Sequence, residues 1–261
     1  MLNNIKSIKI LNIIIGTLKK RIELKLFKYN KKMIKKLNIK KEDFEQFILL
    51  KEMNIKFKLN IKDIDINKLC LVNKNLENNF IEHLNKIRFN NLNFLILEKN
   101  NITDIKGFEN ANFARLKQLN FKDNKIQDID ILEKVNFKGL KELGFLKNKI
   151  SDIKVLEKVK FEKLEKLSLS ENKITDINIF EKVNFKGLKE LDLRFNQISD
   201  IDILEKVDFK ELIKLSLMWN NISNIDILEK VNFKELKKLN LSANKISDIN
   251  ILEKGDFINL K

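Results

Sequence analysis

Side chains that can move a proton, hold a metal or attack a carbon are scarce in this sequence. Histidine occurs once, at His83, and cysteine once, at Cys70. A serine nucleophile needs a histidine base held by a carboxylate, and zinc needs a cluster of His and Cys ligands; the chain assembles neither. Its glycines form no phosphate-cradling loop. One acidic series stands out: Asp104, Asp128, Asp152, Asp176, Asp200 and Asp248, interrupted by Asn224. Calcium wants about six to eight oxygens around one point, whereas these carboxylates come singly, in step with the Ser or Thr that usually precedes them. A turn-stabilising role fits them better than a metal. The expectation is a protein with no catalytic residues, no cofactor and no metal.

The side chains with recognition chemistry are different ones. The only tryptophan, Trp219, follows Met218, and Phe195 follows Arg194. Trp and Arg are over-represented where proteins bind other proteins. The two pairs lie 24 residues apart, and that interval governs most of the chain. Leu92, Leu116, Leu140, Leu164, Leu188, Leu212, Leu236 and Leu260 repeat at it without a break, enclosing seven complete units of the form LxxLxLxxNxIxxIxILxxVxFxx. A fixed period of this length signals a stacked architecture.

Alternation at the first, fourth and sixth positions predicts a short strand with one face inward. Equivalent strands recurring once per unit stack most simply as a parallel sheet, with the remaining residues as the return path. Nine positions per unit are apolar, and among these only Gly107 and Gly255 break the pattern. One unit cannot bury its apolar face alone, so the units must pile up. Asp130, Asn178, Asp202, Asp226 and Asn250 each precede a glutamate by three residues, the spacing of a capping box, which predicts one helical turn over each "ILEKV".

Units such as "LKELDLRFNQISDIDILEKVDFKE" and "LEKLSLSENKITDINIFEKVNFKG" resemble the leucine-rich repeat family, and the "NxIxDI" centre looks most like its internalin and phosphatase-regulator types. The resemblance covers residues 92–261, in units slightly longer than is typical of that type. It implies an α/β fold: a curved solenoid with a parallel sheet on the concave face and short helical turns on the convex face. It further implies that Asn100, Asn124, Asn148, Asn172, Asn196, Asn220 and Asn244 form a structural ladder, their amides bonded to the backbone of their own turn and of the next. A looser copy at residues 66–91 carries Lys74 in place of that asparagine and reads as a degenerate first repeat or a cap.

Function is then sought where the copies disagree. The third, fifth and seventh positions face away from the core, and the eighth lies at the strand's end. The third column alternates Glu142, Lys166, Glu190 and Lys214, so its members are expected to satisfy one another. The seventh and eighth columns place Phe195 and Trp219 at equivalent positions of adjacent units, flanked by Arg194 and Met218. These four, with Asp192 and Leu146, are the candidate partner-binding residues. Stacking of the two rings on each other is the competing reading.

The flanks are less regular. Residues 1–65 are expected to form a basic, mainly helical cap. Residues 1–41 hold 13 Lys and Arg against one acid, Glu23; residues 42–91 hold eight of each; residues 92–261 hold 31 against 28. Ile5, Ile8, Leu11, Ile15, Leu18, Ile22 and Leu26 follow a helical rhythm, and "KKEDFEQFILLKEM" reads as a further helix. The first segment lacks the cleavage site of a secretion signal. It is loosely compatible with an F-box-type adaptor, but the leading proline and later tryptophan of that family are absent. Contact with a membrane surface is a further option for residues 1–41; nucleic acid is disfavoured because Phe27 and Tyr29 alone offer base stacking. The eighth unit starts at Leu260 and stops at Lys261, which suggests either a piece of a longer array or self-association through an uncapped edge. A lone cysteine fits a reducing, cytoplasmic setting. Taken together the expectation is a non-catalytic scaffold binding a protein on its concave face, with the ligase adaptor as the alternative.

Overall fold

In the computed structural model, which describes residues 41–111, 113–231 and 233–253, the period becomes a stack of rungs. Eight three-residue strands form one sheet in sequence order: β1 (Lys68–Cys70), β2 (Phe94–Ile96), β3 (Gln118–Asn120), β4 (Glu142–Gly144), β5 (Lys166–Ser168), β6 (Glu190–Asp192), β7 (Lys214–Ser216) and β8 (Lys238–Asn240). All neighbours are parallel, and the register pairs identical template positions, Leu191 with Leu215 for example. The loose copy therefore contributes a true first rung, with Lys68 opposite Phe94.

Strands this short hold few bonds, and the ladder continues beyond them. Leu193 N–H donates to Ser216 O at 2.9 Å and Phe195 N–H to Met218 O at 2.9 Å, with equivalent bonds on the other rungs. Between the rungs lies a continuous core of the template leucines, isoleucines and phenylalanines. The phenyl rings fit as a column: Phe121 stacks on Phe145 with centroids 5.4 Å apart, and Phe108 meets Phe121 edge-on at 5.7 Å.

The asparagine column ties each rung to the one before it. Asn196 donates through Nδ2 to Leu193 O and Leu169 O, both at 3.0 Å, and its Oδ1 accepts from Ile174 N–H at 3.0 Å. Asn124, Asn148, Asn172, Asn220 and Asn244 repeat this set of bonds. The bridge thus runs to the preceding rung, not the following one as the resemblance suggested. On the first rung Lys74 stands exposed at this position, and its N–H donates to Asn100 Oδ1 at 3.0 Å.

The return segments are 3-10 turns, such as Asp130–Glu133 and Asp202–Glu205. The capping boxes expected there do not form: each turn is preceded by an isoleucine, and no side chain caps it. The aspartate two residues ahead of each turn, or Asn224 ahead of Asp226–Glu229, accepts the first free N–H instead. Asp128 Oδ1 accepts from Asp130 N–H at 2.8 Å and Asp200 Oδ1 from Asp202 N–H at 2.8 Å. Lys106 and Lys154, which break the box spacing, receive the same contact from Asp104 and Asp152. A four-residue turn has its first peptide N–H as the group most in need of an acceptor, and an Asx-type contact reaches it from two residues upstream. That accounts for the acidic column.

Helix α1 (Lys41–Lys56) starts with Glu42 and Asp43 and ends with Lys56, matching the helix dipole at both ends. It buries Leu50 and Met53 against the first rungs. Helix α2 (Asn78–Asn85) is the return path of the first rung and buries Phe80, Ile81 and Leu84. Its close approach explains why the template fails at Gly107: a Cβ there would lie 2.9 Å from Ile81 Cγ2 and 3.2 Å from the Glu82 nitrogen. The only histidine is engaged at this junction, with Nδ1 2.7 Å from Asn79 O and its ring edge-on to Phe57. The expectations for residues 1–40, including the F-box-type and membrane-surface readings, lie outside the described residues, as do Gly255 and the start of the eighth unit.

Two substitutions test this account in thermal melts. Asn196→Ala strands the buried Ile174 N–H and removes one of two asparagine donors from each of Leu193 O and Leu169 O, which keep Asn220 and Asn172, and is expected to lower stability by about 2–4 kcal/mol. Gly107→Val supplies a branched apolar side chain, as Val155 does at the equivalent position, yet is expected to destabilise by about 1–3 kcal/mol through overpacking against α2. A neutral Gly107→Val would show that α2 can move aside.

Candidate functional site

The backbone ladder fixes where each variable side chain stands. On the concave face the third column is engaged in ion pairs across rungs. Lys166 Nζ lies 3.9 Å from Glu142 and 3.6 Å from Glu190, and Lys214 Nζ lies 3.0 Å from Glu190. These exposed pairs contribute little stability, but they neutralise the column.

The eighth position has a backbone feature that its side chains do not advertise. Lys99, Asp123, Lys147, Glu171, Phe195, Trp219 and Ala243 all take positive φ, between 52° and 58°. This left-handed region suits glycine or asparagine and costs other residues about 1–2 kcal/mol. No rung from the second to the eighth has glycine or asparagine there, so the sequence carries no sign of the turn. A bulky ring gives this backbone no benefit.

Phe195 and Trp219 are nonetheless at this position. Their N–H groups bond the carbonyls of the next rung, to Met218 and Ser242, both at 2.9 Å, so the two rings are one rung apart by construction. They stack with centroids 5.6 Å apart and planes 10° from parallel. They are also exposed, Phe195 by 43% and Trp219 by 53%. Stacking and availability therefore coexist: the rings cover one face each and leave edges and outer faces open. Ala243 occupies the equivalent position beyond Trp219 and adds only a methyl group.

Arg194 is held back from free swinging. Its Nε and Nη2 donate to Asp192 Oδ1 and Oδ2, each at 2.8 Å, a two-point pair on the concave face. The hydrogen bonds it donates to Asp192 raise the guanidinium's pKa above its ordinary value, against the opposing effect of partial burial. Met218 is half-buried and accepts a long contact from Asn240 Nδ2 to its sulfur at 3.7 Å. Five of the six expected residues thus sit together on the sixth and seventh rungs. Leu146 does not: it is on the fourth rung, and Ser170 occupies its position on the rung between.

The tenth column completes the surroundings and was not singled out in the sequence. It reads Asn101, Lys125, Lys149, Lys173, Gln197, Asn221, Lys245. Each of these backbones is pinned alike, Gln197 N–H to Ile174 O at 2.9 Å and Asn221 N–H to Ile198 O at 2.8 Å. Beside the two rings, and only there between Lys125 and Lys245, lysine gives way to an amide. The signal was present one step beyond the asparagine column.

Among the described residues no group of three or more His, Cys, Asp and Glu side chains is placed to hold a metal ion, and no helix is long and apolar enough to cross a membrane. Comparison with known proteins agrees with the geometry. The family profile of leucine-rich repeats in two copies matches residues 162–206. A sequence search of curated proteins finds no match. Among solved structures, internalin C2 of Listeria monocytogenes is 24% identical, with a TM-score of 0.63 over 81% of this chain and 89% of that one. The internalin InlP of the same species is 18% identical, with a TM-score of 0.59 over 84% and 70%. A leucine-rich repeat protein of Leptospira interrogans is 23% identical, with a TM-score of 0.57 over 74% and 54%. Leucine-rich repeat folds commonly serve as protein-interaction scaffolds, and this chain has a leucine-rich repeat solenoid fold similar to that of the internalins.

Proposed function

We propose that the chain is a non-catalytic scaffold that binds a protein partner through the sixth and seventh rungs, with Phe195 and Trp219 as the anchors. The single observation carrying this reading is the exposed aromatic stack at a backbone position that disfavours bulky residues. Large apolar groups held out in solvent are the usual mark of an interaction site. Here the stack is flanked by Met218 and by an arginine whose orientation is set by Asp192. Both rings are rigid, so little side-chain entropy remains to be lost on binding. Leu146 plays no part in this patch. A reducing, cytoplasmic setting belongs to the same reading and rests on the lone exposed thiol, Cys70.

The direct test is affinity capture with the wild-type chain and with a Phe195→Ala/Trp219→Ala/Arg194→Ala variant. A partner retained by the first and lost by the second supports the patch, whereas equal retention by both would sink it. Capture that fails only after removal of residues 1–41 would favour the adaptor reading. Truncating one anchor should cost at least about 2 kcal/mol of binding, a loss of about thirtyfold or more in affinity.

Stability should move the other way. Trp219→Asn removes an exposed ring from a left-handed position and supplies a residue that tolerates it. It is expected to leave the melting temperature unchanged or raised by about 2–4 °C. A drop of more than several degrees would place the indole among the groups that hold the rungs together.

A further inference from the structure

The tenth column has no role in the account so far. Lys125, Lys149 and Lys173 stand on three successive rungs, all exposed. Their backbones are identically placed, each N–H donating to the isoleucine carbonyl of the preceding rung at 2.8–2.9 Å. Some lysines of other columns pair across rungs, as Lys134 does with Glu109, Lys158 with Glu133 and Lys141 with Glu165. These three form no ion pair with any described residue. The nearest acidic column spends Oδ1 of Asp128, Asp152 and Asp176 on the peptide N–H of its own turn. The ridge then ends where the aromatic stack begins, with Gln197 and Asn221 replacing lysine beside Phe195 and Trp219.

We propose that the lysine ridge and the aromatic stack form one docking track for an extended acidic segment of a partner protein, with its carboxylates on Lys125, Lys149 and Lys173 and an aromatic or large apolar residue on Phe195 and Trp219. The inference rests on the protein-binding reading above and adds the partner's chemistry. The dimensions agree. From Lys125 to Trp219 is four rung steps of about 4.8 Å, roughly 19 Å, which an extended chain covers in about six residues. A run of about three acidic residues would meet the ridge, and the anchor would follow within about three more. Gln197 and Asn221 have both donors and acceptors, so they can pair with peptide groups of the bound segment where a lysine could only donate. A continuous polyphosphate is the poorer fit. It carries no apolar group to cover Phe195 and Trp219, which stand exposed at the end of the ridge.

The test uses the full chain and a fluorescein-labelled peptide, about ten residues long, with a glutamate run followed by a Phe-Leu pair, made in both chain orders. Fluorescence anisotropy is read for the wild type, for Lys125→Glu/Lys149→Glu/Lys173→Glu, and for Trp219→Ala, each checked for an unchanged melt. Support consists of binding by at least one order, weakened about tenfold or more by either variant, by glutamine in place of glutamate, and by added salt. If neither peptide order binds, the track is wrong. If Trp219→Ala weakens binding while the lysine reversal changes it by less than about twofold, the ridge is eliminated and the aromatic patch survives. A short oligothymidylate that binds as tightly as the peptide and ignores Trp219→Ala would make this a general polyanion surface and overturn the proposal.

Discussion

Each asparagine of the ninth column binds two rungs at once, and the rest of the molecule depends on that contact. A three-residue parallel strand makes too few bonds to fix its register. Immediately after it the chain turns through a left-handed residue, which leaves carbonyls without partners inside the stack. Asn196 Nδ2 reaches Leu193 O in its own rung and Leu169 O in the rung before, while Oδ1 takes Ile174 N–H. Buried peptide groups must find partners, and one planar amide serves three of them. A carboxylate could not donate and a lysine could not accept. Lys74 occupies the position only on the first rung, where it is exposed.

A backbone held this tightly turns sequence positions into columns in space, and side chains in one column either neutralise each other or remain free. Glu142, Lys166, Glu190 and Lys214 take the first course, their ammonium and carboxylate groups within 4 Å of one another along the concave face. Arg194 and Asp192 do so within a single rung. Outside such pairing stand an aromatic stack on two rungs and a run of lysines on three. Their separation from the paired columns is a matter of position, because every rung offers the same places and only the occupants change.

Much of the fold was legible because its causes repeat. The leucines, the asparagines and the 24-residue step each recur often enough to exclude accident, and the parallel sheet follows from them. Three features were not legible, for three physical reasons. The turns looked like capped helices because Asp130 and Glu133 have capping-box spacing, yet the 3-10 turn of four residues donates its first N–H to Asp128. The left-handed eighth position was hidden because Lys, Asp, Glu, Phe and Trp endure it there under the constraint of the ladder. Gly107 stood in the sequence only as a break in the template, whereas it is the space that α2 requires. The aromatic pair was legible from its spacing, but the pinning of Arg194 and the isolation of Leu146 depend on side-chain geometry that spacing does not carry.

The stack of Phe195 on Trp219 is better understood as a result of the ladder than as a local attraction. An aromatic pair contributes about 0.5–1.5 kcal/mol by itself, no more than the left-handed backbone costs at either residue. Contact between the rings therefore cannot be what fixes them at these positions. The hydrogen bonds of Phe195 and Trp219 to the next rung hold the two backbones at one rung's separation whether or not the rings touch. The rings then meet 5.6 Å apart because rungs are spaced that closely. A surface arranged in this way is ordered before anything binds to it, and the free energy of ordering is spent in folding the repeats. Ala243 at the equivalent position of the following rung adds only a methyl group, and the indole stays 53% exposed.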